Sequence, residues 1–125
     1  MIVETSSGTF TVDLETGEIE PADVALEPAP VLALNLPRVV AAAAAGATVV
    51  ALVDAKPPLL VSHDAGSTWR AAGRGLPPGR AVAIDEQEPD TIVYAARNRL
   101  YVSRDGGRFW TAHAAELPEI TGISL

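Results

Sequence analysis

The sequence predicts an all-β chain built from about three repeats of a four-stranded unit, and three observations carry that prediction. Ser62-His63-Asp64-Ala65-Gly66-Ser67-Thr68-Trp69 recurs as Ser103-Arg104-Asp105-Gly106-Gly107-Arg108-Phe109-Trp110, with the tryptophans 41 residues apart. Leu-Pro returns with nearly the same period at Leu36-Pro37, Leu76-Pro77 and Leu117-Pro118, each time before an apolar stretch. Aromatic residues make up only 5% of the 125 residues while glycine and proline number 10 each, so turns are frequent and the core must come mainly from Ala, Val, Leu and Ile. Hydrophobic residues at 48% and charged residues at 20% exclude a wholly disordered chain. The length suits a single domain, 1–125.

The units follow in order. Laid on the last repeat with a constant offset, the N-terminal residues place Ile2-Val3 on Ile92-Val93, Thr11-Val12 on Tyr101-Val102, Glu15 on Asp105, Gly17 on Gly107 and Ile19 on Phe109. The first unit, 1–20, therefore keeps the turn and lacks the tryptophan. In the second unit, 38–75, strands are expected at Val39–Ala45, Thr48–Val53, Leu59–Ser62 and Trp69–Ala72. Ala41–Ala45 favour a helix by intrinsic propensity. Their alignment with Ala81–Asp85 makes them a strand instead, and small side chains suit an innermost strand crowded near an axis. The third unit, 80–116, reads as strands Ala81–Ile84, Thr91–Ala95, Leu100–Ser103 and Trp110–His113, separated by turn-forming residues. Residues 119–125 resemble the first strand of another unit, the strand that the first unit lacks. About 40 residues with four strands is the signature of a propeller blade.

The box Ser62-x-Asp64-x-Gly66-x-Thr68-Trp69 resembles the Asp-box, or BNR repeat, of sialidases, sortilin-type receptors and photosystem II assembly factors. Ser103, Asp105, Gly107 and Trp110 repeat it, with Phe109 standing where Thr68 does, and the first unit retains only Glu15, Gly17 and Ile19. The physical role expected of these residue types is turn closure. A short carboxylate accepts hydrogen bonds from the backbone N–H groups of its own turn, and glycine supplies a positive φ. The serines add a hydroxyl bond, and Trp69 and Trp110 are expected to pack beneath the turns and supply most of the aromatic burial in their blades. The resemblance implies the same role, since the boxes of these families lie at the blade periphery, away from the active site.

Enzyme signatures are missing. There is no cysteine, hence no disulfide, thiolate ligand or cysteine nucleophile. His63 and His113 lack ligand partners at metal spacing, and no glycine-rich phosphate loop or nucleophile elbow occurs. No cofactor, metal or catalytic residue is therefore assigned, and the expected function is a non-catalytic binding or scaffold propeller for a protein or small ligand. The alternative that the resemblance implies is a sialidase-like glycoside hydrolase with its site on the propeller axis, assembled between chains. That chemistry needs an arginine triad, a tyrosine with a glutamate partner and an acid/base aspartate. Arg38, Arg80, Arg97, Tyr94 and Tyr101 are of the right types, without a spacing that assigns the roles.

Charge is uneven. Residues 1–37 hold seven acids and no base, and 38–125 hold nine of each, which together give the net charge of −7. Arg97, Arg99, Arg104 and Arg108 cluster in sequence as a candidate partner or anion patch. A pI near 4.6 disfavours nucleic acid. The longest nearly apolar stretch, 39–53, is too short to span a bilayer, and the N-terminus resembles no secretory signal, so no membrane and a cytoplasmic address are expected. Three blades fall short of the four to eight that close a propeller ring. The sequence therefore predicts a homodimer of six blades, closed head to tail, with the acidic first unit of one copy against the arginine-bearing unit of the other.

Overall fold

The computed structural model describes residues 1–24, 36 and 38–125, and none of these is helical. Among them no helix is long and apolar enough to cross a membrane. Pro37 of the first Leu-Pro pair and Glu27 of the acidic segment lie outside the described residues.

Among the described residues, twelve strands form three four-stranded antiparallel sheets. The second blade is β4 (Val39–Ala45), β5 (Thr48–Val53), β6 (Leu59–Ser62) and β7 (Arg70–Ala72). The third is β8 (Ala81–Ile84), β9 (Ile92–Ala96), β10 (Arg99–Ser103) and β11 (Thr111–Ala112). The first has the order β12-β1-β2-β3, from β1 (Ile2–Thr5), β2 (Gly8–Val12), β3 (Ile19–Pro21) and β12 (Ile120–Ser124). Here β12 pairs with β1 in the same chain, placing Ile2 opposite Ser124 and Val3 opposite Ile123. The alanine run forms β4, and its side chains Ala41 and Ala43 pack on the core shared with the third blade. Their small size lets β4 approach β8 closely.

Strand alternation then builds two cores from one sheet. Val82, Ile84, Ile92, Tyr94 and Ala96 of the third blade meet Val50, Leu52, Leu59 and Val61 of the second. The intervening residues Ala81, Val93 and Ala95, with Leu100, meet Val3, Val12 and Ile120 of the first. Every residue of β8 and β9 is buried. The spatial order is accordingly second, third, first, with the third blade in the middle.

This order brings opposite charges together within one chain. The acidic N-terminal unit lies against the arginine-bearing third blade within one chain, because β12 carries the first blade past the third. Arg104 Nη2 reaches Glu15 Oε1 at 2.9 Å, and Arg80 Nη1 lies 3.8 Å from Glu119 Oε1. The Arg104–Glu15 pair thus joins the acidic unit to the arginine-bearing blade within a single chain. The face of the first blade turned away from the third carries Ile2, Glu4, Thr9, Thr11 and Glu20, none of them buried. Such a polar outer face is that of a terminal repeat.

Tyr94 holds the middle of the wedge. Its side chain is fully buried, its hydroxyl donates to the Pro77 carbonyl at 2.6 Å, and its ring lies 6.2 Å from those of Tyr101 and Trp110. Burial, helped by the neighbouring Tyr101, pushes its phenol up to about 12. Gly79 passes directly over this ring, where a Cβ would lie 2.2 Å from Cζ.

Two substitutions test these contacts by chemical denaturation. Ile120→Ala, which empties a fully buried site where β12 meets the third blade, is expected to cost about 2–5 kcal/mol. Gly79→Ala is expected to cost about 1–3 kcal/mol through overpacking on Tyr94.

Candidate functional site

The two Ser-x-Asp hairpins link the third and fourth strands of their blades. In the second blade, Ser62 Oγ donates to Asp64 Oδ1 at 2.7 Å and accepts from the Gly66 N–H at 2.8 Å. Asp64 Oδ1 accepts from the Thr68 N–H at 2.8 Å, and its Oδ2 accepts from the Thr68 hydroxyl. The bonds from Thr68 and Ser62 favour the ionised form and lower the Asp64 carboxyl from 3.8 to about 2. In the third blade, Ser103 donates to Asp105 at 2.8 Å and accepts from Gly107 at 2.9 Å, while the N–H groups of Arg108 and Phe109 donate to Asp105 at 3.1 and 3.0 Å. The Phe109 N–H and the Ser103 hydroxyl hold Asp105 below its usual range. Phe109 cannot supply the hydroxyl bond of Thr68, and its ring is 79% exposed.

The first blade departs from the expected alignment. Its turn is closed by Asp13, whose Oδ1 accepts from Glu15 N at 2.8 Å and Thr16 N at 3.2 Å and whose carboxyl is lowered by those bonds. Glu15, expected at the position of Asp105, contributes only its backbone N–H to the turn, and its side chain reaches Arg104. A short acid directly after an apolar strand is an Asx-turn signal, which marks Asp13 in the sequence.

Of the two tryptophans, Trp69 is the aromatic residue of its blade, whereas the share of burial expected of Trp110 needs correction. A Cβ on Gly66 would lie 3.4 Å from Trp69, and one on Gly107 would lie 3.7 Å from Trp110, so both rings pack against their turns. Trp110 Nε1 donates to the Gly107 carbonyl at 3.0 Å. Both tryptophans are only half-buried, however, and the fully buried aromatic residue of the third blade is Tyr94.

The four arginines do not converge into one patch. Arg97 lies in the β9–β10 turn, where its carbonyl accepts from the Ile120 N–H at 2.6 Å. Arg99 Nη1 donates to the His113 carbonyl at 3.2 Å. Arg104 and Arg108 follow β10 in the hairpin at the other end of the blade. Arg38 and Arg80 share the end of the wedge that carries Arg97, whereas Tyr94 is buried with its hydroxyl bonded.

A cleft of about 320 Å³ opens where the β2–β3 hairpin of the first blade meets β10 and β11 of the third. It gathers Glu15, Thr16, Arg104, Thr111 and His113. His113 spans the two blades: Nδ1 accepts from the Ala115 N–H at 3.2 Å, which assigns the proton to Nε2, and Nε2 donates to the Leu14 carbonyl at 3.2 Å. With both ring nitrogens engaged and Glu15 held by Arg104, the cleft offers hydrogen-bonding and charged groups without a free base. His63 stands elsewhere, its Nδ1 lying 3.4 Å from the Thr48 hydroxyl. A second cleft of about 300 Å³, on the other side of Arg104, is lined by Glu88, Asp90 and Thr91. Among the described residues no three His, Cys, Asp or Glu side chains come together to hold a metal ion.

The pH response of the hairpins follows from the lowered carboxyls. Asp64 stabilises the folded chain fully above its ordinary value of 3.8, and this contribution is lost as pH falls towards about 2. Asp64→Asn is therefore expected to lower the melting temperature at pH 7, with the gap to the parent chain closing between pH 4 and pH 2. A gap independent of pH over that range would contradict this account.

No family model matches the chain, and no curated protein does. Among solved structures, a GH74 enzyme of Niastella koreensis superposes with a TM-score of 0.54 at 25% identity. The similarity covers 94% of this chain and 18% of that one, so the chain spans less than a fifth of that enzyme's length. What the two share is an all-β architecture of four-stranded antiparallel, propeller-like sheets.

Proposed function

We propose that the chain is a non-catalytic binding and scaffold module of the Asp-box propeller class, which holds a small molecule or a protein segment in the cleft between its first and third blades. The observation that carries this reading is the commitment of the cleft's groups. His113 has both nitrogens bonded, the Thr16 hydroxyl accepts from the Glu18 N–H and Glu15 is paired with Arg104, leaving the Thr111 hydroxyl and the outer edges of the ion pair to engage a ligand. A volume of about 320 Å³ lies within the range of small-ligand sites. The hairpin carboxylates support the same reading, since both oxygens of Asp64 and Oδ1 of Asp105 accept hydrogen bonds from their own turns.

A second reading, glycoside hydrolysis, is favoured by the likeness to the GH74 enzyme. Such chemistry takes two carboxylates facing one cleft. The interblade cleft presents only Glu15, so this reading would place its pair at Glu88 and Asp90. A sialidase-like use of Tyr94 is disfavoured by its burial and raised phenol.

Incubation with a panel of oligosaccharides and peptides separates the readings. The expected result is saturable amide shifts at Thr16, Gly17, Thr111 and Ala112 for at least one member, with no release of reducing ends. Release that disappears in Glu88→Gln or Asp90→Asn would overturn the non-catalytic reading in favour of the second.

A further inference from the structure

The wedge has two chemically different ends. Strand directions place the hairpins and the β8–β9 turn at one end, where nine carboxylates, four of them in Asp85–Asp90, lie with Arg70, Arg104 and Arg108. The opposite end carries Arg38, Lys56, Arg74, Arg80 and Arg97 against four described carboxylates.

At that second end, the β5–β6 turn and the β7–β8 connection of the second blade enclose a cavity of about 430 Å³. Its lining is Lys56, Pro57, Pro58, Arg74, Gly75 and Leu76, with no carboxylate; Asp54 belongs to the same turn and does not line it. Among the described residues neither Lys56 nor Arg74 takes part in an ion pair with an acid. The walls are fixed by backbone contacts. Val53 N–H donates to the Pro58 carbonyl at 2.8 Å, closing the turn, and Leu76 N–H donates to the Gly73 carbonyl at 3.0 Å. Arg74 stands between Gly73 and Gly75, with φ of 77° and 87°, and a Cβ at Gly73 would press on Leu76 and Leu59 at 3.1 and 3.2 Å. Pro58 is buried, and Pro57 and Leu76 are half-buried.

Two cations without an acid partner over a preformed apolar floor make a site for a ligand with one anionic head and an apolar body. We propose that this cavity binds a small organic oxyanion, a carboxylate or a phosphate monoester, through Lys56 and Arg74, with the body of the ligand lying on Pro57, Pro58 and Leu76. A bare inorganic anion would engage the cations and leave the apolar floor empty. Attraction between exposed charges is screened by salt, so the interaction weakens as ionic strength rises. This site is separate from the interblade cleft, and neither reading depends on the other.

The test is an NMR titration of the full chain at low ionic strength with phenyl phosphate, benzoate, inorganic phosphate and uncharged benzyl alcohol. The expected result is saturable shifts of the Lys56, Arg74, Gly75 and Leu76 amides with phenyl phosphate or benzoate, weaker binding of inorganic phosphate, and none of benzyl alcohol. Whichever aromatic anion binds more tightly identifies the head group. The double variant Lys56→Gln/Arg74→Gln is expected to bind at least about tenfold more weakly. Arg108→Gln, at the far end, is expected to bind as the parent does. The proposal is overturned if neither aromatic anion saturates these amides, if the double variant binds as tightly as the parent, or if benzyl alcohol binds equally well.

Discussion

Burial of both faces of β8 and β9 is the constraint from which the rest of the architecture follows. Val82, Ile84 and Tyr94 point one way and Ala81, Val93 and Ala95 the other, and neither set carries a charge that could be left in water. A sheet of this kind is unstable without a neighbour on each side. The second blade covers one face. The other is covered by strands from opposite ends of the sequence, β1–β3 and β12, which meet only because the third blade offers them an apolar surface. The polar outward face of the first blade then ends the stack, whereas the third blade could not.

Charge is divided by how firmly it is fastened. The carboxylates Asp13, Asp64 and Asp105 are tied to backbone donors a few residues away, which stabilises their ionised form. Arg70 Nη2, donating to the Gly106 carbonyl at 3.0 Å, and Arg104, bonded to Glu15, fasten neighbouring blades. Side chains outside these networks are the ones available to ligands.

Local features were legible in the sequence and long-range ones were not, for a physical reason. The hairpin of Ser62, Asp64, Gly66 and Thr68 completes its bonding within a few residues, so spacing alone displays it. Strand positions in the second and third blades follow from alternation and turn residues in the same way. Asp13 was hidden because its turn is closed by a different acid from the one that alignment with Asp105 selects. The pairing of Glu15 with Arg104, 89 residues apart, and the location of Tyr94 under Gly79 arise only once sheets pack. The sequence cluster of arginines misleads for a related reason: residues before and after one strand emerge at opposite ends of it.

The pairing of β12 with β1 also orders events in time. During synthesis, residues 2–21 emerge with β1 paired to β2 on one edge only, and with no third blade to cover Val3 and Val12. The second and third blades are local hairpins and can assemble as they appear, whereas the first must wait for Ile120–Ser124. Its closing step joins the most distant contacts in the chain. Until then, an apolar face of the third blade and the inner edge of β1 stand open together, which makes this the interval in which the nascent chain is most exposed to pairing with another copy or capture by a chaperone.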